Sequence, residues 1–229
     1  MRTKLAISQS NYIPWKGYFD LIASVSTFVI YDDMQYTKND WRNRNKIMTP
    51  NGSQWLTIPV DTGGKFGQKI SEVKINNRPW QKKHWKTISQ NYSKSPFFND
   101  YKSLFETLYL DSHYERLSDV NYSFIKVICE ILGITTKLVW SNELILHGER
   151  NERLVNICKQ LDSKVYVSAP AAKDYLQIDN FSQNNIEVEW FNYDGYKEYQ
   201  QIGSEFCHNV SVLDLIFNMG PDARSYLRY

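Results

Sequence analysis

Residues 4–33 read KLAISQSNYIPWKGYFDLIASVSTFVIYDD, and this stretch decides the fold. Lys4–Ser8 is a short apolar strand, followed by the loop QSNYIPW. Gly17 permits a tight turn and opens a helical run. There Phe19, Leu21, Ile22 and Val25 fall at the spacing of one buried helix face. Thr27–Tyr31 is a continuous β-branched and aromatic run, as in a strand covered on both faces. It ends at Asp32-Asp33. Strand, crossover helix and second buried strand make a βαβ unit, which predicts a parallel pair with a right-handed crossover.

Downstream, PNGSQWLTIPV predicts a turn and then a strand over Trp55–Val60, and DTGGKFGQK a glycine-rich loop. Residues 78–133 carry three helical segments, with Pro79 and Ser95-Pro96 at starts and Gly133 at a stop. Alternation then resumes with strand Thr136–Ser141, helix Glu149–Leu161, strand Val165–Ala169, a short helical region and strand Glu187–Phe191. SVLDLIFNMG closes the pattern as a helix stopped at Gly220-Pro221, with Ser211 as its N-cap. The expected fold is therefore α/β: an open, mainly parallel, Rossmann-like sheet over residues 1–229 as one domain, with the 78–133 helices inserted as a cap. In such sheets ligands sit at the carboxyl ends of the strands. That rule gathers Gln9–Trp15, Asp32–Lys46 and Ser168–Lys173 around one crevice.

Composition bounds the function. The 229 residues are 42% hydrophobic with a net charge of +2, so a core is available but no basic field for gripping DNA. The three cysteines are scattered and fit buried thiols in a reducing cytoplasm. No signal segment stands at the N-terminus, and no apolar run approaches the roughly 18–20 residues of a membrane span, so no membrane insertion is expected. His84, His113 and His147 lack zinc-ligand spacing, TGGKFG is not a P-loop, and no metal site is predicted. Arg78–Trp85, RPWQKKHW, could line a single-strand groove, although Trp80 and Trp85 are five apart and one of them is more simply a core contact.

Two segments carry the candidate chemistry. The loop after the first strand holds Gln9, Asn11, Tyr12 and Trp15 and opens a helix whose N–H groups face outward. The spacing of SQSNYIPWKGYFDLI resembles the His-x-Gly-His region of nucleotidylyltransferases, with Trp15, Gly17 and Tyr18 in the slots and both histidines absent. The second segment, QYTKNDWRNRNKI at residues 35–47, is dense in planar, bidentate groups. Arg42, Arg44 and Lys46 alternate, which places them on one side of an extended segment, and arginine suits bidentate phosphate contact. His208 stands just before the last helix as a candidate base or anion contact, and Cys207 beside it is expected to be inert.

Taken together, SQSNYIPWKGYFDLI, IYDDMQYTKNDWRNRNKI, PNGSQWLTIPV and HNVSVLDLIFNMGP resemble the WbqC family, over about Lys4 to Pro221. The chain departs from the expected Ser-Gly-Pro at Ser168-Ala169-Pro170. The resemblance implies bacterial O-antigen or other surface-polysaccharide biosynthesis, with transfer of glycine or another aminoacyl or acyl group to an amino sugar. A nucleotide-linked amino sugar would then meet Lys38, Arg42 and Arg44 with its phosphates, Trp15 or Trp41 with its apolar face, and Gln9, Asn11, Asn43 and Asn45 with its hydroxyls. Asp33 or His208 would deprotonate the amine. No tightly bound cofactor is expected. The acyl donor would arrive activated, as a carrier-protein thioester, a coenzyme A thioester or an aminoacyl ester, which makes an acyl carrier protein a candidate partner. A glycosyltransferase with a metal on Asp32-Asp33, or a non-catalytic nucleotide-sugar-binding subunit, would use the same crevice.

Overall fold

A computed structural model of the chain describes residues 3–76, 79–203 and 205–229; Arg78, where the cap was expected to begin, lies outside them. Five strands form one parallel sheet: β1 (Lys4–Ser8), β2 (Thr27–Ile30), β5 (Lys137–Trp140), β6 (Val165–Ser168) and β7 (Glu187–Trp190), in the order β5-β2-β1-β6-β7. The βαβ unit is as expected: β1 and β2 pair in parallel, Leu5 opposite Thr27 and Ser8 opposite Ile30, joined through α1 (Lys16–Ala23). Counted along the sheet, the strands run third, second, first, fourth, fifth, the doubly wound order.

Alternate residues of these strands face opposite layers. Ala6, Phe28, Val165 and Val167 pack with α1, with α4 (Leu117–Ile131) and with α7 (Val212–Met219). Leu5, Val29, Val139 and Tyr166 pack with α5 (Arg150–Gln160) and α6 (Ile178–Ser182). The cap consists of α2 (Trp80–Tyr92), α3 (Phe98–Glu106) and α4. Trp80 and Trp85 are both buried there, the second stacked on Tyr109 at 5.9 Å, so the core contact expected of one of them is made by both. Among the described residues no helix is long and apolar enough to cross a membrane.

One element departs from expectation. The segment of residues 44–57 is an antiparallel hairpin, β3 (Arg44–Thr49) and β4 (Gly52–Thr57), so the second strand starts at Gly52 rather than Trp55 and has a partner the sequence did not announce. Its inward positions explain the omission. Asn43, just before β3, gives its amide to the Ile58 carbonyl, and Asn45 gives its amide to the carbonyls of Tyr12 and Ile13. Carboxamides occupy slots where a strand normally shows aliphatic side chains.

Candidate functional site

The order of the sheet reverses between β1 and β6, and the crevice outside their carboxyl ends is where open α/β sheets take ligands. A cavity of about 620 Å³ lies there, with Ser8 and Gln9 from the end of β1, Ser168 and Ala169 from the end of β6, and Arg42, Arg150 and Arg153 on its walls. That volume is within the roughly 300–1,000 Å³ of small-molecule sites. Ala169 has φ −67°, a backbone that any residue adopts, so the position makes no demand for glycine.

Arg42 is held by carboxamides: its guanidinium donates to Asn11 Oδ1 at 3.0 Å and to Gln9 Oε1, and Asp40 stands 3.6 Å away. Its Nε is buried with no partner. A buried polar network fixes the loop beneath. Asp32 accepts from Ser10 N, Ser10 Oγ and Ser118 Oγ, and Asn121 donates to Ser10 Oγ and to the Arg42 carbonyl. Burial pushes the Asp32 carboxyl upward, and these hydrogen bonds oppose the rise. On α5, Arg153 donates to the Gly148 carbonyl at 3.0 Å and to Tyr31 Oη at 3.5 Å, while Arg150 lies 4.0 Å from the ring centroid of Tyr175. Sequence reading passed over both arginines, because exposed cations on a helix look like a solvated face. Only the crossover from β5 through α5 to β6 brings them to the crevice.

A second, smaller cavity of about 260 Å³ adjoins, lined by Asn11, Pro14, Trp15, Trp41, Asn45 and Asn209. Its floor is a strained turn. Ile13 has φ 36°, a left-handed conformation disfavoured for a β-branched residue, and is fully buried. Asn45 pins that turn through the two carbonyls named above, and Tyr12 N donates to the Trp41 carbonyl at 3.0 Å. Trp15 lies back over the start of α1, where a Cβ on Gly17 would overlap its indole. Gly17 thus serves the tryptophan, not merely the turn. Tyr193 and Tyr196 close around the same ring at 5.3 and 5.8 Å.

The candidate residues therefore divide. Gln9 and Arg42 face the switch-point cavity, whereas Asn11, Trp15, Trp41 and Asn45 face the aromatic one; Arg42 and Asn11 hydrogen-bond where the two meet. Tyr12 is core: its hydroxyl is shared with Tyr109 at 2.6 Å and His84 at 2.9 Å. Asn43 is buried on the Ile58 carbonyl, and Lys38 is exposed; neither they nor Tyr12 line either of these two cavities. The expected single row of cations also gives way. A turn in which Asn43 N reaches the Asp40 carbonyl precedes β3, so Arg42 leaves the strand alternation and turns toward the sheet. Arg44 and Lys46 instead lie over the exposed Trp55 ring, at 4.2 and 5.1 Å from its centroid, and Trp55 meets Trp41 in a tilted contact at 5.3 Å.

The two base candidates differ. Burial raises the Asp33 carboxyl, but hydrogen bonds from Ser141 at 2.6 Å and Lys69 at 3.0 Å outweigh it and hold the group below the usual carboxylate range. Both of its oxygens are occupied. His208 is lowered by burial first and then by the charge of Lys16; it meets Phe206 edge-on at 4.6 Å and keeps Nδ1 unpartnered. It precedes Asn209, a wall of the aromatic cavity. Ser211 caps α7 as expected, and Asp214, three residues on, is buried and accepts from Tyr92, Tyr199 and Gln201. Burial raises the thiols of Cys129 and Cys158 to about 12, which suits inert packing.

Comparison with known proteins follows the same lines. The chain is 48% identical to the Uncharacterized protein Rv1507c of Mycobacterium tuberculosis (strain ATCC 25618 / H37Rv) over 226 residues, 99% of this chain and 98% of that protein. No solved structure matches. Residues 9–226 match the WbqC-like protein family, nearly the whole chain, and the protein belongs to that family.

Proposed function

We propose that the protein is a transferase of bacterial surface-polysaccharide biosynthesis, moving an aminoacyl or acyl group onto the amine of a nucleotide-linked amino sugar. The observation that carries this reading is the junction at Asn11 and Arg42, where a small tryptophan- and carboxamide-lined cavity opens beside a larger arginine-lined one. A ligand with a polyhydroxyl ring at one end and an anionic group at the other matches that pair. Trp15 and Trp41 offer faces to the apolar side of a sugar ring, and Asn11 and Asn209 offer amides to its hydroxyls, while Asn45 holds the turn beneath.

In the proposed step the sugar amine attacks the carbonyl carbon of a donor that arrives activated as a thioester or ester. The new C–N bond forms as the C–S or C–O bond breaks, and the departing sulfur or oxygen leaves with its electron pair. His208, beside the cavity wall Asn209, takes the proton released by the amine; its buried Nδ1 has no protein partner, whereas Asp33 is committed to Lys69 and Ser141. A coenzyme A thioester, a carrier-protein thioester and an aminoacyl ester all satisfy this chemistry.

The test incubates the protein with a nucleotide-linked amino sugar and each donor class, followed by mass spectrometry. A product heavier by one acyl group, in amide linkage, is expected. Replacing His208 with Gln should lower kcat by about a hundredfold with little change in acceptor KM. The acid limb of the pH profile should lie below the ordinary histidine range of about 6.5, because the base must be unprotonated and its pKa is depressed. A new glycosidic bond, or binding with no product from any donor, would contradict the proposal.

A further inference from the structure

We infer that the switch-point cavity is a diphosphate site, in which Arg42, Arg150 and Arg153 hold the anionic bridge of a nucleoside diphosphate. The nucleoside half rests on the reading of the acceptor given above, whereas the anion half stands on the geometry of the cavity.

Three guanidinium groups reach this cavity from two separate parts of the chain, the loop before β3 and the first turn of α5. Among the described ion pairs none involves Arg150 or Arg153, and the only carboxylate paired with Arg42 is Asp40 at 3.6 Å. The nearby acids are already engaged. Asp33, which feels the charge of Arg153, is bound by Lys69 and Ser141; Asp32 is bound by Ser10 and Ser118; Glu152 folds back toward Glu149 N at 3.4 Å. The cavity thus gathers three guanidinium groups, with Asp32 and Asp40 beside Arg42, Asp33 near Arg153 and no acid among its lining residues. Concave, low-dielectric walls focus such a field.

The arginines are also held in place. Gln9 and Asn11 grip the Arg42 fork, Gly148 and Tyr31 hold Arg153, and the Tyr175 ring supports one face of Arg150, a contact that leaves the guanidinium edge free to donate. Arg42 Nε is a buried donor without an acceptor, which native proteins rarely leave unsatisfied; Arg44 Nε shares that state, so what distinguishes Arg42 is its place on the wall of the cavity. Two bridged phosphates supply acceptors for several forks at once, where a single carboxylate would serve one. Ile7, Met34, Leu154 and Tyr166 make the remaining wall apolar and aromatic, as a nucleoside beyond the phosphates requires.

Isothermal titration calorimetry with inorganic pyrophosphate, uridine diphosphate and uridine tests this on the wild type and on Arg150→Ala/Arg153→Ala, Arg153→Lys and Arg44→Ala. The wild type should bind both anions, uridine diphosphate more tightly, and uridine not measurably. The double variant should lose at least tenfold in affinity for both anions, Arg153→Lys should lose less, and Arg44→Ala should stay within threefold of wild type. Arg153→Lys also guards against a folding artefact, since it keeps the charge and most of the stem. Unchanged binding in the double variant, equal loss in Arg44→Ala, or no anion binding by the wild type would overturn the site. Uridine diphosphate binding no tighter than pyrophosphate would overturn the nucleoside assignment. No acyl donor enters these measurements, so their outcome is separate from whether acyl transfer occurs.

Discussion

The switch-point cavity and the outer face of the β3–β4 hairpin carry the same kind of side chain to opposite ends. Arg42 and Arg44 are two positions apart, yet the first enters a concave crevice and the second lies flat on an exposed indole. On the hairpin, Trp55 is 39% exposed, and the Arg44 guanidinium rests on its ring with Nε buried and unpartnered, as it is in Arg42. In the crevice, three guanidinium groups face one another across a cavity with few acids to spare. Residue type proposes a phosphate ligand; concavity and unspent charge select which arginine is one.

The largest effect should come from the cavity side. Arg42→Ala removes a charge-assisted, bidentate donor and should weaken nucleotide-sugar binding by about 1.5–3 kcal/mol, read by calorimetry. Next comes the scaffold of the aromatic cavity. Gly17→Ala inserts a methyl where the Trp15 indole lies, and should lower stability by about 1–3 kcal/mol while shifting tryptophan fluorescence. A variant that melts like wild type with unchanged fluorescence would show that Trp15 is not held by that contact. Arg44→Ala belongs to the hairpin and should cost only about 0.5–1 kcal/mol of stability, with ligand binding nearly intact.

The smallest effect concerns Asp33. Its pKa is depressed in the folded state, so the stability that it contributes is present above about pH 4 and is lost as pH falls through its lower folded-state value. Asp33→Asn should therefore be less stable than wild type at pH 7 and should converge with it in acid, as followed by urea unfolding at several pH values. A difference that persists at low pH would mean that the carboxylate charge is not what stabilises that corner.

The same contrast explains what the sequence disclosed. The first thirty or so residues were legible because their apolar spacing matches the sheet and helix they build, from Leu5 through Phe28. The hairpin was obscure because its inward slots hold Asn43 and Asn45, whose burial depends on carbonyls supplied by Ile58, Tyr12 and Ile13, and no local pattern reveals a distant acceptor. In the site, Gln9, Asn11, Trp15, Trp41, Arg42 and Asn45 were visible as loop residues at strand ends. Arg150 and Arg153 were not, since a helix surface gives no sign of which neighbour it will face. Asn209 lay unnoticed beside His208 because a loop asparagine gives no local sign of the cavity it will line.

The central claim is that phosphate belongs to the crevice and not to the hairpin. A crystal structure of the protein with a nucleotide-linked amino sugar tests it most directly. The account predicts the diphosphate between the ends of β1 and β6, within hydrogen-bonding distance of Arg42 and Arg153, with the sugar ring against Trp15 or Trp41. A diphosphate on Arg44 and Lys46 over the Trp55 ring, with the crevice filled only by water, would contradict it.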